Sequence, residues 1–182
     1  MKIWVLLASL MMAVQANAAI LSLTIPGSVT GSLSNESGWL DGDTSAIDFY
    51  TFELTSDTEL SFFADTDFTS MGLSLYAGEI MMDPGFLFNN AGDFFDFAGE
   101  SLTYLTGTSA FVPGVGDNAL QAGVMERGQY TLAVGGNEGF SFGAFDYTLN
   151  ATAVSAAVSE PSTFGIALLM LSGLYCSRRD RR

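Results

Sequence analysis

Apolar and polar residues alternate in short runs along most of the chain, and the runs are separated by Gly, Asn, Asp and Ser. Period-two alternation bounded by turn residues predicts β-strands. Residues 20–25 read Ile-Leu-Ser-Leu-Thr-Ile. Residues 48–54 read Asp-Phe-Tyr-Thr-Phe-Glu-Leu, which puts Tyr50, Phe52 and Leu54 on the expected core face and Phe49, Thr51 and Glu53 on the other. A strand over 59–64 follows the turn Ser56-Asp57-Thr58, and one over 72–76 points Leu73 and Leu75 the same way. Residues 129–134 turn Tyr130, Leu132 and Val134 inward and end at Gly135-Gly136-Asn137, a hairpin signal. Residues 145–153 close the series with Tyr147, Leu149 and Ala151 on one side. The stretch 83–116 is rich in Gly, Phe and Asn and reads as a long loop with an extra strand near Leu102–Thr106. Loops of that length are commonly functional. No helical period persists before the C-terminal end. The pattern therefore predicts an all-β fold: a single antiparallel β-sandwich, jelly-roll-like, over residues 19–153, with a linker at 154–158.

The two ends differ from this body. Lys2 precedes an apolar run from Ile3 to Val14, and Ala16-Asn17-Ala18 is a small-x-small cleavage site. This is the layout of a signal peptide over residues 1–18, cut between Ala18 and Ala19. Its apolar core is shorter than the roughly 20 residues that a spanning helix needs. Near the other end, Phe164 to Cys176 is apolar almost throughout and runs into Arg178, Arg179, Asp180, Arg181 and Arg182. An apolar segment followed by a basic cluster predicts a transmembrane helix whose end stays cytoplasmic.

Charge sharpens the division. Between residues 19 and 159 only Arg127 is basic, whereas all of the 20 acidic residues except Glu160 and Asp180 lie there, a net charge of −17. Such a body repels phosphate backbones and excludes nucleic acid as a partner. The single cysteine, Cys176, lies in the tail, so the body holds together by its core without a disulfide. About 140 residues suffice for one such core.

The tail resembles the PEP-CTERM sorting signal of Gram-negative bacteria. That signal is a Pro-Glu-Pro motif, a hydrophobic helix and a terminal arginine cluster. Here the motif stands as Ser159-Glu160-Pro161, with Ser159 in place of the first proline, followed by Phe164–Cys176 and by Arg178, Arg179, Arg181 and Arg182. The resemblance covers residues 159–182. It implies an exported precursor anchored in the inner membrane by its C-terminal helix, recognised by an exosortase, and then placed on the cell surface or in the extracellular matrix with exopolysaccharide or other biofilm components. More loosely, residues 41–153 resemble the bacterial pre-peptidase C-terminal β-sandwich. The residues that carry this are Asp48–Leu54, Glu59–Asp65, Leu73–Tyr76, Arg127–Val134 and Phe145–Leu149. In that family the domain is a non-catalytic accessory module.

Candidate chemistry is sparse. The chain has no histidine, which excludes a Ser-His-Asp triad and a histidine zinc site. Asp41-Gly42-Asp43 with Asp48 offers closely spaced carboxylates suited to Ca²⁺, which takes six to eight oxygen ligands. An ordinary turn before a strand is the alternative. Asp65 and Asp67 form a weaker pair. Phe86, Phe88, Phe94, Phe95 and Phe97 crowd the long loop, either as core or as an exposed patch for stacking on sugars or protein contact, and Trp39 beside Asp41 is a further stacking candidate. Two functions follow: a non-catalytic surface or matrix protein, or a carbohydrate- or calcium-binding accessory module.

Overall fold

The computed structural model describes residues 19–34, 47–66, 71–108, 118–135 and 144–155. The expected signal peptide and sorting tail, together with Trp39, Asp41, Asp43 and Asp67, lie outside them. Among the described residues there are ten strands: β1 (Ile20–Ser22), β2 (Gly27–Ser34), β3 (Asp48–Leu54), β4 (Thr58–Asp65), β5 (Gly72–Ala77), β6 (Phe94–Phe95), β7 (Ser101–Gly107), β8 (Ala119–Met125), β9 (Gly128–Gly135) and β10 (Ala144–Ser155). They form two sheets, ordered β1-β3-β9-β5-β7-β6 and β2-β10-β4-β8. This is an all-β sandwich, as the alternation predicts.

The main core fills the space between the sheets. Tyr50, Phe52 and Leu54 of β3 meet Leu60, Phe62 and Ala64 of β4, with Leu73 and Leu75 of β5, Leu132 and Val134 of β9, and Leu149 of β10. Those of β3, β5, β9 and β10 are the inward positions read from the alternation. Each large apolar side chain removed from water here contributes about 1.5–3 kcal/mol. Phe52 stacks on Tyr130 across the β3–β9 pair, centroids 5.5 Å apart.

Three features depart from the sequence reading. The pairing of β1 with β3 is parallel, while the other ladders are antiparallel. After β1 the chain crosses to the other sheet to make β2, so it returns to β3 by a long connection, the kind a parallel pair requires. Secondly, β2 and β8 are strands where none was expected. Both are edges of the four-stranded sheet and carry the weakly patterned sequences Gly-Ser-Val-Thr-Gly-Ser-Leu-Ser and Ala-Leu-Gln-Ala-Gly-Val-Met.

Thirdly, the outer face of the six-stranded sheet is not bare. Residues 78–100 leave β5, make a 3-10 turn at Gly85–Leu87 and return through β6. They cover Phe49, Tyr76, Leu102 and Ala133, adding Ile80, Phe88 and Phe94 to form a second apolar cluster. Phe49, expected on the polar face of β3, is fully buried as a result. Polar side chains of the sheet hold this cover down. Thr131 Oγ1 donates to Gly78 O at 2.8 Å and accepts from Ile80 N at 3.0 Å. Ser74 Oγ donates to Asn90 O at 2.7 Å, and Tyr76 OH to Asn89 O at 2.6 Å.

Candidate functional site

The covering segment divides the five phenylalanines of the long loop. Phe88 and Phe94 point down and pack edge-on against Tyr76 and each other. Phe86, Phe95 and Phe97 point out, at 77%, 58% and 55% exposure. The rings of Phe86 and Phe97 meet edge to face, centroids 5.9 Å apart. Met81 and Met82 add 60% and 51% exposed side chains from the same segment. A methionine pair contributes polarizable, adaptable surface of the kind used at contact sites. Isolated exposed apolar residues are ordinary, whereas five on one segment are a concentration of apolar surface.

One buried carboxylate fixes this platform. Asp96, 3% exposed between the outward Phe95 and Phe97, accepts from Met81 N at 2.9 Å and Met82 N at 3.2 Å through Oδ2. Its Oδ1 accepts from Glu100 N at 3.0 Å. Around it, Asp96 N donates to Glu100 O and Gly99 N to Asp96 O, closing a tight turn in which Gly99 has φ +88°. Burial works against the charge of Asp96, but the backbone N–H donors of Met81, Glu100, Met82 and Ala98 outweigh it and hold its pKa below the usual carboxylate range. Sequence reasoning passed over Asp96, Met81 and Met82. An aspartate flanked by two phenylalanines gives no periodic signal, and its role appears only when residues 81–82 fold back over it.

Asp48, read as a calcium candidate, occupies another setting. It is buried, and its Oδ2 accepts from Tyr147 OH at 2.6 Å. Tyr147 OH lies 2.6 Å from Tyr50 OH, so the three groups form a chain from β3 to β10 across the end of the core. The backbone N–H of Ala19 also donates to the Asp48 carboxylate. Burial raises the Asp48 pKa against the pull of these two bonds. Burial, opposed by the bond to Tyr147 and reinforced by the Asp48 charge, pushes Tyr50 up to about 12. Asp41 and Asp43 are not among the described residues, and no group of three or more His, Cys, Asp or Glu gathers around a metal position among those that are.

Asp65 lies at the end of β4, exposed and opposite Thr148 on β10, and Asp146 lies two residues before Thr148 on that strand. With Thr30, Ser32, Thr66 and Thr148 these residues line an open groove of about 660 Å³. The Thr66 hydroxyl is buried with no hydrogen-bond partner among the described residues.

No protein-family model matches the sequence, and no curated protein sequence matches it. Solved structures do. CorA, a surface-associated copper-binding protein of Methylomicrobium album BG8, is similar over 76% of this chain and 99% of its own, at 11% identity and a TM-score of 0.52. The two share a fold. Weaker likenesses are to the pre-peptidase C-terminal domain of collagenase from Bacillus anthracis and to PliG of Aeromonas hydrophila. The first covers 74% of this chain and 96% of that domain, at 15% identity and a TM-score of 0.45. PliG, a periplasmic inhibitor of g-type lysozyme, covers 76% and 98%, at 8% identity and 0.47.

Proposed function

We propose that this chain is an exported, non-catalytic surface or extracellular-matrix protein that makes its contacts through the Phe86–Phe97 platform. In this reading the leader is removed before Ala19, an exosortase processes the tail at Ser159-Glu160-Pro161, and the released sandwich joins exopolysaccharide or other matrix components of a Gram-negative cell. The observation that carries the contact role is the group Met81, Met82, Phe86, Phe95 and Phe97, each more than half exposed on a segment anchored by Asp96. Export is supported by the leader-like and tail-like ends and by a body with one basic residue.

Intact mass spectrometry of the protein from membrane and extracellular fractions of its host tests the sorting. A species from Ala19 to near residues 159–162 in the extracellular fraction is expected. A species keeping Phe164–Arg182, found only in membranes, would refute it. For the contact role, the double variant Phe86→Ser/Phe97→Ser should be processed normally yet lose retention in the matrix. Retention equal to wild type would remove the platform from the proposal.

The groove beside Asp65 and Asp146 favours a second reading, a carbohydrate-binding module. Its hydroxyls and carboxylates are the donors and acceptors that a sugar requires. Retention on polysaccharide beads that is lost in Asp146→Asn, but kept in the Phe86/Phe97 variant, would select this reading instead.

A further inference from the structure

The body of this protein buries a carboxylate and supplies no basic side chain to meet it. Asp48 is 6% exposed. Arg127, the one basic residue among those described, is at the turn before β9, and the neighbouring Gly128 pairs with Leu54 at the far end of β3. Six residue steps along the strand separate Leu54 from Asp48, about 20 Å at the rise of an extended chain. Lys2 belongs to the expected leader, and the other arginines belong to the tail. A buried charge is costly unless something of opposite sign or several hydrogen bonds compensate it.

Besides Tyr147, the group that reaches Asp48 is the backbone nitrogen of Ala19, which the β1–β3 register, with Ile20 opposite Phe49, sets beside it. Ala19 is held in place independently, because its carbonyl accepts from Phe49 N at 2.8 Å as the β1–β3 ladder begins. Ala19 is also the residue at which Ala16-Asn17-Ala18 predicts cleavage. The sequence signal for a new amino terminus and the structural position of the buried carboxylate thus fall on one atom.

We propose that leader cleavage turns the Ala19 nitrogen into an α-ammonium that pairs with Asp48, so that the Asp48–Tyr147–Tyr50 chain is a built-in binding site for the mature amino terminus. This rests on the export reading above. In the cleavage, water adds across the Ala18–Ala19 amide under the host's leader peptidase. Ala18 leaves as a carboxylate, and the amine of Ala19 takes up a proton. One amide N–H becomes three ammonium donors, and Asp48 gains the cation it lacks. The β1–β3 ladder is already formed in the full chain, and the pair adds to it after processing, so that removal of the leader strengthens the hold of β1 on the edge of the six-stranded sheet.

The composition of the chain makes the test direct. Lys2 is the only lysine, so the mature protein has one primary amine, that of Ala19. The full chain is expressed with its own leader in a Gram-negative export host, and the processed product is weighed intact. A product that does not start at Ala19 overturns the cleavage reading and the pairing with it. With the start at Ala19, the amine is acylated by an activated ester at pH 7, in the folded state and in urea. Folded wild type is expected to react about tenfold more slowly than unfolded, the factor that corresponds to one pKa unit in favour of the ammonium. In Asp48→Asn the folded protein should react nearly as fast as the unfolded one. Equal protection in wild type and Asp48→Asn overturns the proposal, since burial alone would then explain it. A second measurement does not depend on that variant folding. Wild type acetylated in urea and refolded should have a lower thermal midpoint than the free-amine protein, and an unchanged midpoint overturns the pairing.

Discussion

Replacing Asp96 by Asn tests whether one carboxylate sets the contact platform. The substitution keeps the volume and removes the charge. In the native chain, Oδ2 takes two backbone donors at 2.9 and 3.2 Å, and Oδ1 takes one at 3.0 Å. Hydrogen bonds to charged groups contribute about 1.5–3 kcal/mol each, against about 0.5–1.5 kcal/mol for neutral ones. Asn retains one acceptor oxygen, which can serve Met81 and Met82 at neutral strength. Its NH₂ group then faces the N–H of Glu100, donor against donor. The loop lies near solvent and recovers part of this through water, which leaves a loss of about 2–4 kcal/mol at pH 7. Urea unfolding of wild type and variant measures the difference, and limited proteolysis within residues 78–100 reports where it is lost. The pH dependence has a definite sign. The folded pKa of Asp96 is lowered, so its stabilisation is complete above the unfolded value of about 3.9 and disappears as pH falls through the folded pKa. The gap between wild type and variant should therefore close in acid. A gap that persists unchanged at low pH, or no gap at pH 7, would refute the assignment of the platform's rigidity to this charge.

Gly31 pairs with Tyr147 across β2 and β10, and a Cβ at Gly31 would run into the Tyr147 ring, which is held by Asp48. Gly31→Ala should cost about 1–3 kcal/mol by overpacking, measurable by thermal or urea unfolding, and a neutral result would mean that the ring has room to move. Tyr147→Phe leaves the buried Asp48 and Tyr50 oxygens without their shared partner and should cost about 1–3 kcal/mol at neutral pH. An unfolding midpoint equal to wild type would show that water replaces the hydroxyl.

Several strands of this protein are written locally. β3, β4, β5, β9 and β10 carry alternating large apolar residues because each is a pleated ribbon with one face in the sandwich core, and burial of that face requires period two. Tyr50, Phe52, Leu54, Tyr130, Leu132 and Leu149 were identifiable on that ground alone. The edge strands were not. An edge has one neighbour and packs fewer side chains, and β2 carries glycine where Tyr147 lies across it, so the composition of Gly-Ser-Val-Thr-Gly-Ser-Leu-Ser resembles that of a turn. The bulge of β8 around Ala122 and Gly123, the latter at φ +73°, breaks its alternation in the same way.

The candidate site follows the same division. Crowding of phenylalanines at 86–97 marked the segment, but exposure depends on which rings the outer face of the six-stranded sheet can accept. Tyr76, Phe49 and Leu102 take Phe88 and Phe94 and leave Phe86, Phe95 and Phe97 outside. Asp96 and Met81 are 15 residues apart, and Asp48 and Tyr147 are 99 apart. The sequence by itself determined the all-β class, the inward face of the central strands, the acidity of the body and the contrast between body and ends, because each is a property of neighbouring residues or of simple composition. Only the tertiary structure decided which phenylalanines reach solvent, which aspartate braces them and which is buried beside Ala19. Those outcomes depend on contacts between segments far apart in the chain, and no local pattern encodes them.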